Sequence, residues 1–370
     1  MARFEYLEIR NAQLEIIGII DDATSMIWHG AYYGIGDFDI AIAKTKHTLQ
    51  LLRKGNFVTR YDCDDIGIIE NVDTVTDATG EKMLTASGRF AKALLNRRLI
   101  YQLKGSTNTA TIISGNVQDA ARALVSNNAI NCPFDIRRNI SILELGAADS
   151  SINEIIVDKN GKAASKQVSY QNLQEYTDEL LQEYSIGARV IFSGAGKLQY
   201  ICHKGRDLSD KIIFGVDFDN LIDLSKSESD TALRTTALIG GEGEGLERFY
   251  SLIGGEFEGL QRREVFIDDS SISRTYKDEA ETEQQYTAEI YKGMLDADAA
   301  QKLADMKELQ AFACALDLNN SPYIYGKDYD IGDIVMLVDN ELDIFTPVRL
   351  LEITEVRDAS GYSVDGVIGV

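Results

Sequence analysis

Between Glu5 and Gly88 apolar residues alternate with polar ones or gather in short runs: Leu14 to Ile20, Phe38 to Ala43, Phe57 to Tyr61 and Gly67 to Val75. A period of two is what a half-buried strand requires, because successive side chains point to opposite faces. The spacing predicts a small β domain. Its clearest hairpin pairs Ile66–Thr76 with Lys82–Ser87 about Asp77-Ala78-Thr79-Gly80, where Asp opens a turn and Gly supplies the positive φ that closes it. The period then lengthens. Ser87 is placed to cap a short helix carrying Phe90, Leu94 and Leu95, and Asn116 to cap a second with Val117, Ala120, Ala121, Leu124 and Val125 on one face. A third, Tyr170 to Ile186, aligns Leu173, Tyr176, Leu180, Leu181 and Tyr184 and stops at Gly187, a natural residue for a helix end. Arg189–Phe192 and Leu198–His203 read as a hairpin about Ser193-Gly194-Ala195-Gly196.

Lys211–Val216 and Thr235–Ile239 are strand-like, and Leu224–Asp230 between them reads as a polar connection. Asp278–Gln301 reads as helix-rich, and Ala299–Leu316 continues it through Leu303, Ala304, Met306, Leu309 and Phe312. Ile334–Val338, Val348–Val356 and Tyr362–Ile368 return to strand. Without strict βαβ alternation the order describes an α+β chain. It divides into an N-terminal β domain over 1–88, a helical and strand continuation over 89–145, an α+β insertion with a Gly-rich segment over 146–275, a helical segment over 276–316, and C-terminal β strands over 317–370.

At 370 residues the chain exceeds what one core usually organises, and 44% hydrophobic residues with only three Pro suit a chain folded nearly throughout. Lys and Arg total 37 against 59 Asp and Glu, a net charge of -22 that repels phosphate backbones and anionic membranes. Stable nucleic-acid binding and membrane insertion are therefore not expected. The opening Met1-Ala2-Arg3-Phe4-Glu5 has no signal-peptide pattern, and no run reaches the ~18 apolar residues of a membrane helix, so synthesis in the cytoplasm is expected. Cys63, Cys132, Cys202 and Cys314 are far apart and suit free thiols; His29, His47 and His203 form no metal-binding pair.

Candidate chemistry is sparse. Gly240-Gly241-Glu242-Gly243-Glu244-Gly245 lacks the Lys-Ser/Thr ending of a phosphate loop and carries two carboxylates where an anion would sit; it reads as a structural turn with Arg248 near its carboxylates. Asp62, Asp64 and Asp65 open like a calcium loop, with Gly67 at the sixth position, but Ile66 and Asp73 stand where further ligands belong. They are weak metal candidates beside the reading of a solvated acidic turn. Asp268 with Asp269, or Glu256 with Glu258, could supply a glycosidase pair, though 59 acidic residues produce such neighbours by chance. Trp28, Tyr32 and Tyr33 suit either a carbohydrate-stacking platform or a core. Arg97-Arg98 reads as a helix terminus rather than a nucleic-acid patch. No catalytic residue and no cofactor is assigned.

Three ordered blocks carry a resemblance. Gly55-Asn56-Phe57 through Asp65-Ile66-Gly67-Ile68-Ile69-Glu70-Asn71 with Leu84 to Arg98 resembles the start of siphophage tail-tip hub proteins. Gly240 to Gly245 with Glu247-Arg248 and Arg262 to Asp268 looks like the family's second signature, and Tyr323 to Val335 is similar to its late strand, acidic turn and strand. None is catalytic. The resemblance implies β-barrel-like domains of the tail-tube type with helical and α+β insertions, the C-terminal strands completing one of them. It further implies a non-enzymatic virion protein: a homotrimeric hub adapting the tail tube or distal tail protein to a tip or fibre protein, touching the end of the tape-measure protein, and framing part of the DNA ejection channel. The other reading is a tip protein that hydrolyses or binds cell-wall glycans. If the first β domain lines the channel, Asp62, Asp64 and Asp65 are among the candidates for an acidic wall that DNA passes without being gripped; the alternative places the charge mainly outside, where it only confers solubility.

Overall fold

The computed structural model describes residues 4–76, 82–101, 111–133, 135–158, 161–194, 196–218, 220–277, 281–306, 309–316 and 321–369. Asp77–Gly80, expected as a hairpin turn, and Ala195 lie outside the described residues, as does the side chain of Cys314. Two compact units are present: Met1–Ser225 with Phe312–Val370, and Lys226–Ala311.

The larger unit opens with β1 (Leu7–Arg10), β2 (Ile16–Ile20), β3 (Ser25–Ala31), β4 (Asp37–Ala43), α1 (Lys46–Leu51), β5 (Phe57–Arg60), β6 (Ile66–Thr76) and β7 (Lys82–Phe90). A mainly helical layer follows: a 3-10 turn over Ala91–Arg97, β8 (Thr111–Ser114), α2 (Val117–Val125), β9 (Leu143–Leu145), β10 (Ser165–Val168), α3 (Leu173–Gln182), β11 (Gly187–Phe192) and β12 (Leu198–His203). Beyond β13 (Ile213–Phe214) and β14 (Leu221–Ser229), the smaller unit holds β15 (Thr236–Gly240), β16 (Tyr250–Ile253), β17 (Glu264–Asp268), β18 (Thr275–Lys277), β19 (Glu283–Gln285) and α4 (Ala288–Asp305). β20 (Leu309–Leu316) pairs with β14, and β21 (Ile334–Asp339), β22 (Ile344–Asp358) and β23 (Gly361–Gly369) return the chain to the larger unit.

One mixed sheet dominates, in the order β13-β21-β22-β3-β4-β7-β6-β5-β1-β2, with β23 also on β22. β22 takes β21 along its first half and β3 along its second, while β23 follows it from Arg349 to Asp358. β5 and β22 are five strands apart in this order, which on a flat sheet at ~4.8 Å per strand is about 24 Å. Yet Arg60 of β5 forms an ion pair with Glu355 of β22, and the Phe4 carbonyl accepts a hydrogen bond from Arg357. The sheet is therefore rolled. Its end strands β2 and β13 are not paired with each other among the described residues, so the ladder is not a closed barrel.

The alternation in β3 and β4 explains the roll's interior: Met26 and Trp28, then Phe38, Ile40 and Ile42, face inward to meet Leu7, Ile9, Val58, Ile69 and Leu84. A second core lies between β13, β21, β22 and β23 around Phe214, Tyr329, Leu337, Leu350 and Val364. A third lies under α2 and α3. Between Ile69 and Asn71 the register shifts, leaving Glu70 as an extra residue across from Gly88. A Cβ on Gly88 would stand 1.8 Å from the Ile68 carbonyl oxygen, so only glycine fits there.

α2 and α3 are capped by Asn116, whose side chain accepts from the Asp119 N–H at 3.1 Å, and by Asn172. Four local expectations give way to tertiary pairing. Ser87 caps no helix; it lies inside β7 against Asp39 and Asn71, and the turn after Phe90 has no side-chain cap. α3 ends before Gly187, with Ser185 taking the left-handed φ of 59° and Gly187 opening β11. Leu224–Asp230 is largely strand, and the helix expected over Ala299–Leu316 stops at Asp305, because Leu309–Leu316 pairs with β14. The pairing overrides the helix preference of its Ala and Leu residues. In the smaller unit β15 runs antiparallel to β16 and parallel to β17, and Ala237, Ile239 and Ile267 pack on Tyr291, Leu295 and Ala299 of α4.

Candidate functional site

The acidic turn joins β5 to β6. Arg60, the last residue of β5, points into the roll and its side chain is fully buried, which demands countercharge. Asp62 supplies it, with Oδ1 accepting from Nε at 2.8 Å and Oδ2 from Nη2 at 2.7 Å, and Glu355 supplies a second carboxylate. The guanidinium also lies 4.1 Å from the Phe4 ring centroid and 5.5 Å from that of Trp28. Burial would raise the pKa of Asp62, but the hydrogen bonds and charge of Arg60, with the Phe4 N–H at 3.3 Å, hold it below the ordinary carboxylate value. Asp65 belongs to another partner, Arg189 of β11, at 3.8 Å; burial raises its pKa and Arg189 only moderates the rise. Burial likewise pushes the Cys63 thiol up, which favours its protonated form.

Asp62, Asp64 and Asp65 thus share a turn without sharing a target, and of the three only Asp64 is exposed. No group of three His, Cys, Asp or Glu residues arranged to hold a metal is present among the described residues. Asp62 and Asp65 are each matched by an arginine, Arg60 and Arg189. A cleft of about 300 Å³ opens beside the turn, lined by Tyr61, Asp64, Arg189, Tyr325 and Asp330. In a neighbouring cleft His203 lies against the Tyr32 ring, and neither of its ring nitrogens has a hydrogen-bond partner among the described residues. Burial first, and then the charges of Arg189, Lys92 and Arg349, bring its pKa down to about 3.

The glycine-rich turn belongs to the smaller unit. Gly240 ends β15, and a Cβ there would meet the Arg248 guanidinium at 2.7 Å. Arg248 fills that space, donating to the carbonyls of Gly240 and Gly241 at 3.0 Å each and to Asp268 at 2.5 Å. Its carboxylate partner is Asp268 of β17, not Glu242 or Glu244. Gly243 has φ of 115°, which a side chain would strain. The Glu242 N–H donates to the Tyr291 hydroxyl at 2.7 Å, and its carboxylate accepts from the Arg274 N–H at 2.6 Å, tying the turn to α4 and to the segment before β18. The Gly241 N–H donates to the Phe249 carbonyl at 2.8 Å, so the two N–H groups of Gly241 and Glu242 are taken up by protein acceptors.

The remaining sequence candidates separate. Asp268 is exposed and bound to Arg248, whereas Asp269 is buried and bound to Lys302; Glu256 and Glu258 are exposed in the turn between β16 and β17. Trp28 is 4% exposed among Phe4, Phe38 and Phe90, and Tyr32 is fully buried, so they form core rather than a stacking platform. One constellation has no local signature. Across the outer face of the roll run Glu352 of β22, His29 of β3, Asp37 of β4 and Arg89 of β7, followed by Glu70 and Arg97. His29 Nδ1 lies 3.0 Å from Asp37 and Nε2 3.3 Å from Glu352; Arg89 reaches Glu70 at 2.7 Å. Burial opposes charge on His29, but the two carboxylates outweigh it and raise its pKa. The sequence signal would have been charges of opposite sign at outward-facing strand positions, which requires knowing the strand order.

This combination of a rolled mixed sheet, a helical layer and an inserted α/β unit is a phage tail protein fold. A 43 kDa tail protein of prophage MuSo2 from Shewanella oneidensis matches with a TM-score of 0.56 at 11% identity, over 98% of this chain and 97% of that one. The tail protein from Neisseria meningitidis MC58 matches at 0.55 and 13%, over 99% and 96%, and prophage tail protein gp18 from Listeria monocytogenes EGD-e at 0.52 and 12%, over 98% and 94%. In sequence, the family model described as Siphovirus ReqiPepy6 Gp37-like protein matches residues 6–370, and the chain belongs to that family. No curated protein matches it in sequence.

Proposed function

We propose that this chain is the structural hub of a siphophage tail tip, resident in the virion after synthesis in the host cytoplasm. Three copies form a closed ring that adapts the distal tail protein to a tip or fibre protein, receives the end of the tape-measure protein and frames part of the path DNA takes at ejection. The observation that carries this reading is a family match running from residue 6 to residue 370 on a chain with the fold of phage tail proteins. The rolled sheet supports the expectation of tail-tube-type, barrel-like domains. Its free end strand β2 exposes Ile16, Ile17 and Ile19, an apolar edge of the kind that pairs with another chain. The role is architectural in this reading, and Arg60, Asp62, Arg248 and Asp268 hold the fold together rather than turn over a substrate. No helix among the described residues is long and apolar enough to cross a membrane.

The test is mass. Light scattering of the purified chain at tens of micromolar should give three times 41.0 kDa, alone or once the distal tail protein is added, and electron microscopy should show rings with a central opening. A chain that stays monomeric under both conditions contradicts the hub.

A further inference from the structure

The three-stranded sheet of the smaller unit buries one face and leaves the other bare. On β15, Ala237 and Ile239 turn to α4, whereas Leu238 between them is 44% exposed; Leu252 of β16 is 45% exposed and Phe266 of β17 50%. The registers set these three in one row, Leu238 opposite both Leu252 and Phe266. One row along, Tyr250 is half exposed beside Gly240, and the Arg248 guanidinium lies 5.9 Å from the Tyr250 ring centroid and 5.5 Å from that of Phe266. A groove of about 380 Å³ runs over Leu238, Leu252 and Phe266 to Arg262 and Glu264.

Area and charge select the occupant. Half-exposed leucines and aromatics of this number present on the order of 400 Å², comparable to the largest apolar patch on a typical monomer. That is about half the ~800 Å² each partner contributes to a free-standing interface, too little for two copies of this chain to hold one another by this face. It suits a single segment. The arginines at the face are already matched, Arg248 by Asp268 at 2.5 Å and Arg262 by Glu264 at 2.7 Å. Glu256 and Glu258, in the turn joining β16 to β17, have no ion pair among the described residues, and residues 226–311 carry ten Lys and Arg against nineteen Asp and Glu. The uncompensated charge of that turn and of the smaller unit as a whole is therefore negative.

We infer that this face docks an amphipathic helix with an apolar stripe and Lys or Arg on its flanks, covering Leu238, Leu252 and Phe266 as α4 covers Ala237, Ile239 and Ile267 behind them. Only the source of that helix, another tail component, rests on the hub reading. The probe is a labelled peptide of about 18 residues with a leucine stripe and lysines elsewhere, titrated into the full-length protein by fluorescence anisotropy; its control has the same leucines and glutamates for lysines. The lysine peptide should bind and the glutamate peptide should not. Leu238→Glu with Phe266→Glu should weaken the lysine peptide at least about tenfold (~1.4 kcal/mol) although it adds two negative charges. Leu238→Ser, a mild change at an exposed site, should weaken it in the same direction should the double variant fold poorly. Binding that is unchanged or tighter in these variants is attraction to net charge alone and overturns the inference. So does a wild-type self-association that they abolish, because the face would then belong to a second copy. A monomeric wild type that binds the peptide leaves the face standing and removes the hub; a trimer that does not bind it does the reverse.

Discussion

Gly240 has no side chain because Arg248 occupies that space. Gly240→Ala should expel the guanidinium from the two carbonyls and from Asp268, costing roughly 1–3 kcal/mol in urea unfolding, the range for overpacking a filled site. A variant as stable as the parent would mean that Arg248 does not anchor the turn. The two half-buried to buried histidines should affect stability with opposite sign. Asp37 and Glu352 raise the folded pKa of His29, so its contribution is fully present below its unfolded value near ~6.5 and is lost as pH rises through the higher folded value. His29→Gln should therefore be destabilising at pH 5.5 and close to neutral at pH 9. For His203 the folded value falls to about 3, so the unfolded chain takes up a proton that the native chain refuses, and stability is lost as pH falls from ~6.5 toward that value. His203→Gln should flatten this acid limb, and a wild-type slope retained in the variant would assign the limb to other groups. At this scale the sequence spoke clearly where function is local: a cluster of glycines announces a special turn. It was silent on the pairing of Arg248 with Asp268, twenty positions away, and on Glu355, which reaches Arg60 across 295 positions.

Elements were legible where period and caps agreed, as in α2 with Asn116 and in the alternating strand β4. They were misread where a distant partner decided. Leu309–Leu316 has the composition of a helix and becomes a strand because β14 lies beside it, and Ser87 has the chemistry of a cap but sits between β4 and β6 in the sheet. Strand order itself has no local code, which is why a barrel-like sheet was expected only through the family resemblance and the charge row on its outer face not at all. The Arg60–Glu355 contact is what reports the roll. Arg60→Met should leave Asp62 and Glu355 as buried carboxylates without their cation and cost about 3–5 kcal/mol by denaturant titration. A loss below ~1 kcal/mol, the value of an exposed pair, would show that water reaches these groups in solution.

At the scale of the molecule, charge and assembly oppose each other. Copies at -22 each repel, so formation of the proposed ring should strengthen as salt is added, until a Debye length of ~8 Å at 0.15 M confines repulsion to near neighbours. Sedimentation across 0.02 to 0.5 M salt checks this, and association that weakens with salt would point instead to complementary charge at the contact. Duplex DNA should not bind at any of these concentrations. The unclosed ladder has one more consequence. A cylinder sealed by hydrogen bonds has its circumference fixed by strand number and stagger. Here β5 and β22, on opposite walls of the roll, are tied across its interior by side chains, Arg60 on Glu355 and Arg357 on the Phe4 carbonyl. The girth of the roll is therefore set by what fills it, the Arg60–Glu355 pair and the apolar side chains packed around Trp28, rather than by a last ladder of backbone hydrogen bonds.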